Sequence, residues 1–572
     1  MRRRARRARY SIEDTVYSAR RAGRQGRWSA SQWWLALSSD TRALLVGAGV
    51  AVVALLALVL IVVPNLPCAV PGGDQCPPDD DAIELVPADA TAYAHVDTDR
   101  ESEQYEQAHE LAERVPTLTD QLVRQLPGPD GARVSYARDV APWLGGEAAL
   151  ALVPAGAGSP RATALLEVGD DRGARRFAEE VTGSDVDTDA VGDVAVSVGD
   201  GAAVARVDDF LVVGRPPQVK QVVETKADGE SLLDSEPADE AIDALPDHRL
   251  AILYASERGA DELLAPGEPL GSFETFVNAG ATRGAAAALV TGSDSIEVAV
   301  HSVIDPERAE ADPGFFAALP AFEPELAGEV SEDALAYLAL GDPAASLSGL
   351  LSQARAGAPG LAAAFEDFSR QLRSGGEVSL EDDLLPLLTT QAAITIEPGE
   401  GGPGDLAGAP YVTLVSGEID ADEAARTLDR LQGAIAESLA EQGEVFRENE
   451  VDGVEVRSLQ VSQAVELAYA IVDDRLVVST DPRGIARVVG DEPDIGESDR
   501  YEAATEGFAD EVSALLYLNV DGLLDLAEQA GLQEDPSYVL FREEFRTLDA
   551  LGLAVERGEN ELDTRMRLAI RE

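Results

Sequence analysis

The chain has 572 residues, with 105 acidic and 45 basic side chains and a formal net charge of −60 at pH 7. So large an acidic excess repels nucleic acid and acidic polymers and favours cations or cationic peptides as partners. Two cysteines are too few for a disulfide framework or a four-thiolate zinc centre.

Residues 1–42 hold eleven Arg and three acids (Glu13, Asp14, Asp40), a net charge of +8, and the remainder of the chain carries −68. Between them residues 43–63 (ALLVGAGVAVVALLALVLIVV) contain no polar side chain, and Pro64 ends the run. At about 1.5 Å per residue such a run makes a helix of about 32 Å, the thickness of a hydrocarbon core. Short positive flanks stay in the cytoplasm. The pattern therefore predicts a single-pass plasma-membrane protein with a cytoplasmic basic tail (1–42), a transmembrane helix (43–63) and an extracytoplasmic remainder. Trp33 and Trp34 stand where aromatic rings favour the interface. A cleaved signal peptide is disfavoured by the late start and length of the run. A lipoprotein signal is disfavoured by Pro67 directly before Cys68 and Asn65 three positions before it. The lipid bilayer, not nucleic acid, is the expected partner of the arginines.

Residues 64–82 form a Pro/Gly/Asp-rich stalk in which Cys68 and Cys76 are expected to close a small disulfide loop. Beyond it one pattern occurs twice. LVPADATAYAHV (85–96) and EVSEDALAYLAL (329–340) are separated by 244 positions, as are VSYARDVAPWLGGEAALALVP (134–154) and VSLEDDLLPLLTTQAAITIEP (378–398). VDDFLVV (207–213) then recurs as VDDRLVV (472–478), and AILY (251–254) as ALLY (514–517). Order is kept throughout, so the expected fold class is α+β: a transmembrane helix followed by two homologous, largely antiparallel domains, 83–305 and 329–572, joined by a linker at 306–328.

Within the first unit, 91–96 and 150–153 read as short strands, and 104–125 as an amphipathic helix kinked or split at Pro116. Residues 162–168 read as a strand entering a helix at 172–181, with Asp170 or Asp171 as its cap, and a parallel βαβ order is left open there. Residues 194–198, 202–207 and 210–213 are closely spaced strands, and 286–290 with 296–301 a hairpin. In the second unit, 411–415 leads into a helix capped by Asp420, and 552–556 with 562–570 form the closing hairpin.

Catalytic signatures are missing. The glycine-rich loop 399–408 precedes a strand, whereas a phosphate cradle needs a helix start. Asp185, Asp187 and Asp189 lack the Gly and Glu of a calcium loop, those positions being Ala190 and Val196. The four histidines (His95, His109, His248, His301) are scattered, neither lysine follows a Ser by three, and no Gly-x-Ser-x-Gly elbow occurs. No catalytic, cofactor-binding or metal residue is assigned, and no cofactor is expected.

The basic tail, the single apolar run and the LVPADATAYAHV, DVAPWLGGEAALAL and VDDFLVV blocks together resemble a family of uncharacterised membrane proteins of high-GC Gram-positive bacteria, classed as a domain of unknown function. The resemblance implies no activity, cofactor or catalytic residue. The expected role is a membrane-anchored cell-envelope protein, not an enzyme, that binds, scaffolds or senses, with an envelope protein or a cationic ligand as partner. The alternative is an extracytoplasmic hydrolase or chaperone-like factor acting on envelope polymers or secreted proteins.

Overall fold

The computed structural model describes residues 78, 80–116, 136–154, 160–265, 277–311, 319–343, 391–399, 410–439, 446–451, 453–460, 466–490, 493–529 and 531–571. Twenty strands form one sheet, and every pairing in it is antiparallel. The first ten strands are β1 (Ala92–Asp97), β2 (Leu144–Val153), β3 (Arg161–Val168), β4 (Asp187–Val191), β5 (Val194–Gly199), β6 (Ala202–Val207), β7 (Phe210–Gly214), β8 (Ala251–Ser256), β9 (Thr282–Thr291) and β10 (Ser295–Ile304). The second ten are β11 (Ala336–Gly341), β12 (Gln391–Glu397), β13 (Tyr411–Glu418), β14 (Arg447–Val451), β15 (Val454–Gln460), β16 (Glu466–Val472), β17 (Arg475–Ser479), β18 (Ala514–Asn519), β19 (Leu548–Arg557) and β20 (Glu561–Ile570).

Across the sheet the order is β4-β5-β6-β7-β3-β2-β1-β8-β9-β10, then β20-β19-β18-β11-β12-β13-β17-β16-β15-β14. The two halves meet at β10–β20, in register from Ser295↔Ala569 to Val303↔Glu561. The outermost strands, β4 (DTDAV) and β14 (RENEV), are short, charged and mostly exposed, which discourages further pairing at either edge.

The expected fold class is corrected here. A helix spanning the membrane followed by two separate, homologous domains gives way to one continuous antiparallel sheet, because β10 and β20 pair along their length. Among the described residues no helix is long and apolar enough to cross a membrane. The single-pass plasma-membrane location and the cytoplasmic amino terminus are therefore not supported, and the run at 43–63 on which they rested lies outside the described residues, as do the basic tail and Cys68 and Cys76.

Local chemistry explains the turns and helix starts. Asp208 has φ +47° in the β6–β7 turn, and Asp473 and Asp474 have φ +45° and +63° in the β16–β17 turn. Aspartate tolerates this left-handed region, so the repeated VDD motif is a hairpin turn. Helix α1 (Glu103–Arg114) occupies the start of the expected 104–125 helix and is capped by Ser102, which accepts from the Tyr105 N–H. Helix α2 (Asp171–Thr182) starts on Asp170, which accepts from the N–H groups of Arg172 and Gly173. No parallel βαβ unit forms there, since β3 pairs antiparallel with both β2 and β7.

Four further helices of the first half are α3 (Pro216–Asp228), α4 (Glu236–Asp243), α5 (Glu257–Leu263) and α6 (Pro306–Ala311). The second half adds α7 (Ala421–Leu439), α8 (Pro482–Val489), α9 (Asp499–Thr505), α10 (Val520–Gln529) and α11 (Pro536–Phe545). Asp420 caps α7 as the sequence predicts, accepting from the Glu423 N–H at 2.9 Å.

Strand alternation divides the core. One sheet face buries Tyr93, Ala151, Ile252 and Tyr254 in the first half and Tyr337, Ala339, Leu515 and Tyr517 in the second. The opposite face buries Ile296, Val298, Leu562 and Met566 over the β10–β20 seam, together with Leu111 of α1.

Candidate functional site

In β1 alternation sends Tyr93, His95 and Asp97 to the same face, and the β1–β2 register sets Asp97 opposite Glu147. His95 is 1% exposed and Glu147 5%. The imidazole Nε2 lies 3.1 Å from Glu147 Oε2. Asp80 arrives just ahead of the 3-10 turn Ala82–Leu85, accepts from the Tyr93 hydroxyl and also accepts from the Ile83 N–H at 3.3 Å. One ligand atom each from Asp80, His95 and Glu147 lie within 4.8 Å of one another.

Burial governs this cluster. It pushes the Glu147 carboxyl up further than the His95 hydrogen bond and charge pull it down, and it raises Asp97 as well. For His95 burial works the other way, but the charge of Asp80 and the hydrogen bond and charge of Glu147 prevail, and the imidazole holds its proton more tightly than usual. The Tyr93 hydroxyl is raised well above its ordinary range by burial and by Asp80. Arg249, before β8, is lowered by burial against the charge of Asp80.

The second half presents the same strand frame with neutral residues at the matching positions, and its buried carboxylate, Glu397, lies elsewhere on β12, where it accepts from Thr395 and Tyr411. Tyr337 lies between Tyr517 and Thr395 as Tyr93 lies between Tyr254 and Ala151. Two residues further on stands Ala339, opposite Ala393, and then Gly341 opposite Gln391. Among the described residues no His–Glu pair forms there, and the buried Tyr337 hydroxyl has no hydrogen-bond partner.

A second histidine sits on the seam. His301 of β10 faces Asp563 of β20, with Nδ1 2.7 Å from Oδ1. The hydrogen bond to Asp563 raises its pKa against the cost of burial, with further help from the charges of Asp563, Glu561 and Glu240.

On the opposite face, β8, β9, β10, β20 and α5 enclose a cavity of about 90 Å³. Leu253, Leu263, Leu264, Val277, Val300 and Met566 supply much of its wall; among the described residues Thr564 is the one lining residue with a polar side chain, and none is ionisable.

The histidines are scattered in sequence, but folding brings His95 and His301 into carboxylate clusters and leaves His109 on an exposed surface near Glu113. The signal for the first cluster was the alternation Tyr93-His95-Asp97, but its partner Glu147 is supplied by strand register and is not marked locally in sequence. Asp187 and Asp189 lie on the exposed edge strand β4, where Lys220 Nζ approaches Asp189 at 2.6 Å; they form no calcium loop. The glycine-rich stretches at 155–159 and 400–409 lie outside the described residues.

No curated protein matches the chain. Among solved structures, crystal form I of TP0453 is similar at 9% identity and a TM-score of 0.24, covering 40% of this chain and 79% of that one. Crystal form IV of TP0453 gives 10% identity and a TM-score of 0.25, with 38% and 79% covered. Likeness at this level carries no argument about fold or function. The pattern described as protein of unknown function DUF3352 matches residues 44–570, and the chain belongs to that family.

Proposed function

We propose that the protein is a non-catalytic binding protein that takes an aliphatic side chain of a cationic polypeptide into the cavity beneath α5. The observation that supports this reading is the composition of the cavity wall, which among the described residues is hydrocarbon except for Thr564. Such a wall rewards burial of apolar surface by about 25 cal/mol per Å². A volume of about 90 Å³ suits a branched side chain or a short alkyl segment better than a whole lipid. Asp261 and Glu262 are exposed on α5 beside Leu263 and Leu264, and the net charge of −60 favours basic flanks on the partner.

The test is fluorescence anisotropy of a labelled peptide of alternating Lys and Leu added to the full chain. Saturable binding is expected, weakened at least tenfold by Val300→Asp and reduced by salt. Binding unchanged in that variant removes the cavity from the account, and cleavage of the peptide by the purified chain contradicts the non-catalytic reading.

A further inference from the structure

We propose that Asp80, His95 and Glu147 form a divalent-metal site of the zinc or manganese class in the first half of the sheet. This goes beyond the cavity reading and rests on different residues, on the opposite sheet face.

The ligand chemistry is a single imidazole nitrogen and two carboxylates. Zinc takes both donor types at about 2.0–2.2 Å, and manganese accepts them as well, whereas calcium and magnesium prefer oxygen alone. Three donor atoms already within 4.8 Å of one another need only small side-chain rotations to share one ion. The His95–Glu147 contact of 3.1 Å is about the separation of two ligands bound to the same metal.

Electrostatics favour an added cation. Asp80, Glu147 and Asp97 gather around one imidazole, and Glu147 is nearly inaccessible to water. Burying such a set costs stability unless the charges are compensated. Arg249 offsets part of the excess near Asp80, and it donates to the Pro246 carbonyl at 3.1 Å.

The fold does not require these side chains. At the matching register of the second half the sheet is built with Ala339, Gly341 and Gln391, and its tyrosine, Tyr337, has a hydroxyl without a partner among the described residues. In the first half the tyrosine hydroxyl donates to Asp80 and so orients it. A histidine–carboxylate set at positions where the matching frame has Ala339, Gly341 and Gln391 is better explained by a ligand than by folding.

The experiment is equilibrium dialysis of the metal-free full chain against Zn²⁺, with Mn²⁺ and Ca²⁺ in parallel, followed by zinc-edge X-ray absorption of the loaded protein. The expected result is one tight Zn²⁺ per chain, Ca²⁺ at least 100-fold weaker, and a metal shell of one imidazole with oxygen ligands. Glu147→Gln, which keeps the shape of the pair, should weaken Zn²⁺ at least 100-fold, while His301→Ala should leave it unchanged. Sulfur in the shell places the metal at Cys68 and Cys76 and overturns the proposal. So does loss of the tight site in His301→Ala alone, or the lack of a saturable site in the unaltered chain. The absorption spectrum reads the unaltered protein, so the proposal stays testable if Glu147→Gln fails to fold. Peptide binding by the cavity is measured separately in Glu147→Gln and is expected to persist.

Discussion

His301 and Asp563 come from strands 262 positions apart in sequence and meet as direct cross-strand neighbours, 2.7 Å apart, at the junction of the two halves of the sheet. His301 is buried, and on its face of the sheet the charges that hold its proton are Asp563 and Glu561 of β20 and Glu240 of α4. The folded pKa is raised, so the pair's contribution is fully present below the unfolded value of about 6.5 and is lost as pH rises through the folded value. His301→Ala should cost about 1–2 kcal/mol at pH 6, with the deficit shrinking at higher pH. Urea unfolding of both proteins from pH 5.5 to 9 checks this, and a deficit independent of pH rules out the charged pair.

Two tyrosines in matching frames should respond oppositely to losing a hydroxyl. Tyr93 donates to Asp80, whereas the buried Tyr337 hydroxyl has no partner among the described residues. Tyr93→Phe should destabilise by about 1–2 kcal/mol, since it strips a charged acceptor of its donor. Tyr337→Phe should be neutral or stabilising by up to about 1 kcal/mol, because no hydrogen bond is lost and a buried polar group is removed. Thermal melts of the two variants suffice, and equal losses would contradict the assignment.

The α10–α11 brace predicts an acid limit. Glu528 accepts from Arg542 Nε at 2.9 Å and Nη2 at 2.7 Å, and from the Tyr538 hydroxyl at 2.6 Å. The Arg542 hydrogen bonds, with Tyr538 and Arg546, pull its carboxyl down to about 2. Its contribution is present above the unfolded value of about 4.3 and is lost as pH falls toward the folded value. Glu528→Gln should cost about 2 kcal/mol at pH 7, a modest figure because Arg542 is half-exposed, and almost nothing near pH 2. Chemical denaturation at the two pH values reads the difference.

Gly259, in α5, lies against the backbone of Thr91, whose carbonyl oxygen would be 1.8 Å from an added Cβ. Neither partner is the end of a flexible side chain, so Gly259→Ala must separate α5 from β1. A loss of about 3 kcal/mol is expected, with weakened peptide binding since α5 roofs the cavity. Calorimetry and the anisotropy assay test both; full stability in the variant would show that the helix packs elsewhere.

Much of the local structure was readable before folding. The Asp170 and Asp420 caps, the VDD turns and most strand segments follow from short-range rules, because each is settled within a few residues. The β10–β20 pairing was not readable, since nothing near Val298 or Met566 names the other as its neighbour; both read as hairpin strands facing their own partners. The first cluster escaped for the same reason. The alternation through His95 was visible, but the arrival of Glu147 and Asp80 depends on register and on a segment packed from outside the strand. The cavity depends on the joint placement of five elements and left no mark in any one of them.

Hydrogen exchange of the full chain, read by mass spectrometry on peptides covering Ser295–Ile304 and Glu561–Ile570, bears most directly on the single continuous sheet. Both strands are interior, so their amides should be protected as strongly as those of β1 and β11 and far more than those of the edge strands β4 and β14. Exchange of β10 and β20 at the rate of β4 and β14 would mean that the halves do not pair.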